Sequence, residues 1–188
     1  MRRLVLGSLV AGLAMWVVGF IFWGPLLGWI PFTVAPDASQ AALQAALKAN
    51  LAATGSGTYA IPSTATTAGS VMHAGGPVAL VHFTNSGFPA MDTFALLWGL
   101  VLAVCCAFVG GLGLKAVAAE LEFGRRMQLV IFFAVAVAGY VELGQPIFNH
   151  AAWGYYLYAF VADVVTWIAA GAVLAMFLPL PFEDSEER

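Results

Sequence analysis

The chain has 188 residues, of which 62% are hydrophobic and 9% charged, with a formal net charge of −3. Soluble domains carry about 25% charged residues, so this composition excludes an ordinary water-soluble globule. No basic run offers a nucleic-acid surface.

From Leu4 to Phe32 the sequence has no ionisable side chain. A helix needs about 20 apolar residues to cross a hydrocarbon core of about 30 Å, so a first membrane span is predicted over Leu4–Trp29. Gly24-Pro25 is expected to bend it, because Pro25 has no N–H for the i−4 carbonyl, and Pro31 to end it. The apolar run is longer than the roughly 7–15 residues of a signal-peptide core and contains Trp16, Trp23 and Trp29. It therefore reads as an uncleaved anchor.

Thr33–Ala90 is too long for a simple connection and too short for a large core of its own. Pro36-Asp37 opens a helix expected over Ser39–Ala53, with Leu43, Leu47 and Leu51 on one narrow stripe and Gly55 beyond its end. Gly57–Pro62 reads as a short extended segment and Ser63–Gly76 as a loop. Val78–Thr84 reads as a strand, and Asn85–Pro89 as a turn into the second span. The expected result is a small α+β insert. Its histidines, His73 and His82, stand nine apart across a Gly-rich stretch, which is not a metal-ligand spacing. They are expected to be surface or hydrogen-bonded side chains.

Three further spans are predicted at Met91–Leu114, Met127–Leu143 and Trp153–Phe177, with Pro179 and Pro181 stopping the last one. The organisation is therefore a first span at 1–32, an insert at 33–90, three spans at 91–178 and an acidic tail at 179–188. The fold class is an all-α membrane protein, a four-helix bundle carrying an α+β insert. With the N-terminus inside, Arg2, Arg3, Lys115, Arg125, Arg126 and Arg188 are cytoplasmic and only Lys48 lies outside. The positive-inside rule then gives an N-in, C-in topology with the insert outside. Trp29, Trp98, Trp153, Tyr155 and Tyr156 fall toward the outer interface, where amphipathic rings are favoured. The inner segment Lys115–Arg126 is expected to be short and partly helical.

In the second span Gly99, Ala103, Ala107 and Gly111 recur every four residues. Such small-residue ridges let helix backbones approach in lipid. Shorter versions occur at Ser8/Gly12, Ala134/Ala138 and Ala162/Thr166/Ala170. A self-contained bundle explains them best. A homo- or hetero-oligomeric contact is the sharper alternative.

Three ionisable residues lie in or beside the spans: Glu142, His150 and Asp163. Charged groups in a span are costly, at least about 2.5 kcal/mol on insertion scales, and tend to face the bundle interior. Asp163 lies about 15 Å along the helix from Trp153, with Tyr156, Phe160 and Trp167 on its face. It needs a neutral form, a hydroxyl partner such as Tyr140 or Thr166, or a wet cavity. Glu142 and His150 flank the short loop Leu143–Ala152 and are expected to pair there.

Cys105 and Cys106 are adjacent in an apolar run, so neither a disulfide between them nor a CxxC redox motif is expected. No fingerprint for a cofactor or metal is present.

The layout resembles a group of small bacterial four-span inner-membrane proteins of unknown function. The residues that carry the likeness are Met1-Arg2-Arg3 before an apolar span, Gly57-Thr-Tyr-Ala-Ile-Pro62 in the insert and Asp163-Val-Val-Thr-Trp-Ile-Ala-Ala-Gly171 in the last span. The resemblance implies a bacterial inner membrane, four spans and an outward-facing insert, and no activity or site residue. The order of elements is also similar to claudin-type proteins, but their Trp-Gly-Leu-Trp-Cys-Cys signature is absent.

Three functions fit these features. The leading expectation is a non-enzymatic structural or accessory membrane component. The second is a small transporter or proton- or ion-coupled protein centred on Asp163. The third is an enzyme acting on lipid or quinone through Glu142, His150 or His82.

Overall fold

The computed structural model describes residues 1–118 and 120–178. The acidic tail expected at 179–188, with Pro179, Pro181 and Arg188, lies outside the described residues. Eight elements follow in chain order: α1 (Arg2–Trp23), α2 (Asp37–Leu51), β1 (Gly57–Ile61), α3 (Thr67–Gly75), β2 (Ala79–Phe83), α4 (Thr93–Ala118), α5 (Phe123–Asn149) and α6 (Trp153–Phe177). They form two compact units. One joins Met1–Phe32 to the chain from Thr93 onward, and the other is Thr33–Asp92. Helices α1, α4, α5 and α6 are each long and apolar enough to cross a membrane.

The smaller unit is built on an antiparallel pair of strands, with Thr58 opposite His82 and Tyr59 opposite Val81. Tyr59 and Phe83 meet edge to face, and the Tyr59 hydroxyl donates to the Gly55 carbonyl at 2.6 Å. The strands are joined by α3, where the sequence suggests only a loop. Its start is specified by Thr66, whose hydroxyl accepts from the Gly69 N–H at 3.0 Å. That N-cap offsets the weak helix propensity of a Ser/Thr/Gly-rich stretch. Helix α2 has no buried residue, and Leu43 on its stripe is 61% exposed. The segment after α2 is tied to the turn after β2. Asn85 donates from its side chain to the Ala52 carbonyl, and from its backbone to Ser56 Oγ, both at 3.1 Å.

In the larger unit α6 is central. It packs along α1 on one side and α5 on the other, and more briefly against α4. Helix α4 packs mainly on α1, while α4 and α5 barely meet. The ring of four is therefore open along one seam.

Close packing is made possible by small residues. A Cβ on Gly12 of α1 would stand 2.5 Å from the Val104 Cα of α4, so those two backbones touch across the missing side chain. A Cβ on Gly171 of α6 would overlap Val130 of α5. The core between the helices is largely alanine, with Ala11, Ala107 and Ala170 fully buried beside Met15 and Leu174. In lipid such interfaces are held by dispersion and occasional hydrogen bonds rather than by expulsion of water. The ridge Gly99, Ala103, Ala107 and Gly111 lies along this packing: Gly99 stands by Trp16, Gly111 by Leu4 and Ser8, and Ala103 and Ala107 belong to the core. Trp16 adds a bond from its indole Nε1 to the Leu96 carbonyl at 2.9 Å.

Three boundaries differ from the sequence expectation. Helix α1 stops at Trp23 rather than Trp29, because Pro25 ends it instead of bending it. Gly24–Ile30 then forms turns, with Gly24 N–H on the Phe20 carbonyl and Gly28 N–H on the Gly24 carbonyl. The inner ends of α4 and α5 absorb most of Lys115–Arg126, so both helices are longer than predicted. The outer end of α5 runs on to Asn149 rather than stopping at Leu143, so Pro146 lies inside the helix and not in the expected loop Leu143–Ala152.

Arg126 consequently sits inside the first turns of α5 and is completely buried. Its Nε donates to the Ala118 carbonyl at 3.1 Å, and one terminal nitrogen donates to the carbonyls of Ala175 and Leu178 at 3.0 and 2.8 Å. These carbonyls belong to the C-terminal ends of α4 and α6, which lack intrahelical donors. A cation there also complements the negative end of each helix dipole. Sequence reasoning places Arg126 on the cytoplasmic side, at the end of the short, partly helical segment Lys115–Arg126. The fold makes it a clamp joining three helix ends.

Candidate functional site

The deep acids lie on adjacent helices. Glu142 projects from α5 and Asp163 from α6, and the charge that reaches Glu142 is that of Asp163. Both carboxylates also act on Tyr155 near the start of α6. The expected pair, Glu142 with His150, does not form among the described residues. His150 instead ends α5, in the left-handed conformation (φ 52°, ψ 30°), with its N–H on the Gln145 carbonyl. A loop of three residues, His150 to Ala152, joins α5 to α6 and brings the helices together, and this sets Glu142 against α6 rather than against the loop.

The hydroxyl partners expected for Asp163 are engaged or turned away. Thr166 Oγ1 donates to its own helix at the Ala162 carbonyl, 2.7 Å away. Tyr140 is 79% exposed. Among the described residues neither carboxylate makes a hydrogen bond or ion pair.

Pro146 contributes in a way that spacing alone could have shown. It stands four residues after Glu142, so the Glu142 carbonyl receives no helical N–H from that position. One residue thus presents both a carboxylate and an under-donated carbonyl, with a second carboxylate nearby. Chemically, such a node can contribute oxygen ligands to a cation. Among the described residues no group of three His, Cys, Asp or Glu converges as a metal site.

Aromatic rings border this node. Tyr155 meets Trp23, Phe32 and Tyr156, with ring centroids 5.0–5.8 Å apart. Tyr158 directs its hydroxyl to the Phe22 and Leu27 carbonyls, at 2.5 and 3.1 Å. That bond fastens the end of α1 to α6, and nothing in the sequence pattern signals it.

The second feature is the open seam. Gly110, Gly113, Leu114 and Val117 of α4 face Leu129, Val130, Phe133, Ala134 and Val137 of α5 across a groove of about 420 Å³. Trp167, Gly171 and Leu174 of α6 form its floor. The lining is almost entirely apolar. Trp167 approaches α4 at Gly110, 3.6 Å from where a Cβ would stand, and so closes one end. Asp163 lies one helical turn beyond Trp167, on the far side from the groove. At the other end the lining begins with Leu129 of α5, and Arg125 stands one turn before it, at the end of the bundle where α4 and α6 finish and α5 begins.

The histidines of the smaller unit have local partners. His82 Nδ1 meets Thr58 Oγ1 at 2.9 Å across the strands, and His73 Nδ1 meets the Pro62 carbonyl at 3.2 Å.

Compared with protein-family models, curated proteins and solved structures, the chain matches none.

Proposed function

We propose that the chain is an accessory, non-enzymatic component of a bacterial inner membrane, which recognises a membrane-embedded partner through the seam between α4 and α5. The observation that supports this reading is the unclosed ring. Helices α4 and α5 are held through α1 and α6 but hardly touch each other, and a sizeable apolar groove remains. Its volume lies within the roughly 300–1,000 Å³ typical of small-ligand sites. The small-residue ridge of α4 is already spent on α1, so the seam is the face of the bundle left to offer.

The proposed topology has both termini cytoplasmic and the insert outside. Arg2, Arg3, Lys115, Arg125 and Arg126 all lie at one end of the bundle, which supports it. A membrane-impermeant reagent that labels either terminus in intact cells would reverse it.

The experiment that tests the function places a photo-crosslinking residue at Val137, in the groove, and at Val109, an exposed position outside it. In native membranes Val137 should give one dominant adduct and Val109 a diffuse background. Equal, diffuse labelling at both positions would refute a recognition role for the seam.

A second reading has its own observation. The juxtaposed carboxylates of Glu142 and Asp163 support a proton- or cation-coupled protein. In reconstituted vesicles the expected result is a flux that Asp163→Asn reduces about tenfold or more and Glu142→Gln reduces less. Wild-type protein that passes neither protons nor alkali cations under an imposed gradient would end this reading.

A further inference from the structure

We infer that the groove between α4 and α5 holds one acyl chain of an anionic phospholipid, drawn from the leaflet at the Arg125 end. This rests on the seam being a recognition surface and names what it recognises. Four features lead there. From Leu129 to Val137 the groove runs about 12 Å along α5, at 1.5 Å per residue. That is close to the depth of a single leaflet, half of an about 30 Å core. A docked helix would need contact along the whole span, but Trp167 closes the groove at the end away from Arg125, partway across the span, by approaching α4 at Gly110. The lining offers a chain apolar contact and almost nothing polar.

The open end supplies the charge. Arg125 is exposed, one turn before Leu129 on the same helix, and its guanidinium bonds Gln128 Oε1 at 3.2 Å. Its remaining donors suit a phosphate. The first turn of α5 has no side-chain cap; the Arg125 and Arg126 amides bond the Glu122 carbonyl, and the positive end of the helix dipole adds to the Arg125 charge there. Glu120 and Glu122 are exposed in the connecting loop and oppose a free anion. A phosphate tethered by its own acyl chain is held against Arg125 in spite of them, whereas a soluble phosphate is not. A basic side chain beside a span at the membrane surface attracts anionic head groups.

Gly113 allows a clean test. A Cβ there would meet nothing within 4 Å, so Gly113→Leu fills the groove without displacing the fold. Val109→Leu adds similar bulk at an exposed site outside it. Full-length protein in mild detergent is titrated with phosphatidylglycerol or phosphatidylcholine and followed by native mass spectrometry. The wild type and Val109→Leu should retain one phosphatidylglycerol in preference to phosphatidylcholine. Gly113→Leu should weaken retention of both lipids about tenfold or more, because several buried methylenes lose their place. Arg125→Gln should equalise the two lipids while the chain still binds. Unchanged lipid retention in Gly113→Leu, at an unchanged unfolding midpoint, would overturn the inference, as would a wild type indifferent to head-group charge. A crosslink from Val137 to a protein alone would overturn it too while leaving the recognition role intact. Diffuse crosslinking would remove both.

Discussion

Arg126→Ala should be the most damaging single truncation in the chain. It strips the carbonyls of Ala118, Ala175 and Leu178 of a shared donor. Ala118 keeps the Leu121 N–H, but leaving a buried acceptor unsatisfied costs about 1–3 kcal/mol, so a loss of about 2–6 kcal/mol is expected from the carbonyls of Ala175 and Leu178. Arg126→Lys keeps the charge but not the planar fork that reaches two helix ends at once, and should recover only part of the loss. Arg125→Ala, one residue away but exposed, should stay within about 0.5 kcal/mol of wild type. Unfolding by added SDS, followed by tryptophan fluorescence, measures all three. Coincident curves for Arg126→Ala and Arg125→Ala would dispose of the clamp.

Gly12→Leu should rank next. Its new Cβ would meet the Val104 Cα at 2.5 Å and the Val104 nitrogen at 2.7 Å. A flexible side chain can rotate out of the way, but a helix backbone cannot, so α1 and α4 must part. Overpacking of this kind costs about 1–3 kcal/mol, and the upper end is expected here. The bond from Trp16 to the Leu96 carbonyl spans the same interface, so tryptophan emission should shift as the helices separate. Trimming the neighbour with Val104→Ala should not rescue the protein, because the clash with backbone remains. Gly19→Leu, on the same helix with nothing within 4 Å of its Cβ, should be tolerated. Full rescue by Val104→Ala would show that the side chain, and not the backbone, sets the helix separation.

Much of the architecture could be read before the structure, because lipid imposes a strong rule. Runs without charge must be helical to satisfy their own backbone, and Trp153–Phe177 begins and ends where its tryptophan and prolines suggest. The errors have local causes. Pro25 follows a glycine whose backbone is already extended, so α1 stops there instead of kinking. Helix α3 starts from one capping threonine in a stretch whose composition reads as loop.

The site was less legible. Asp163 and Glu142 stood out because acids are rare in spans, but their approach depends on how α5 rotates against α6, and periodicity does not fix that rotation. Arg126 looked like one more inside positive charge. Only the meeting of three helix ends reveals it as buried. The groove is invisible in sequence for the same reason, since glycines at 110 and 113 read equally well as packing or as space.

The placement of α6 also bears on how the protein is made. It is the last of the four long helices in chain order, yet it is the one that touches all the others. During synthesis α1 and α4 can associate early, but α5 has almost nothing to hold until its successor arrives. The ribosome must therefore deliver the organising helix last, and the earlier segments must wait in the bilayer as a half-assembled set.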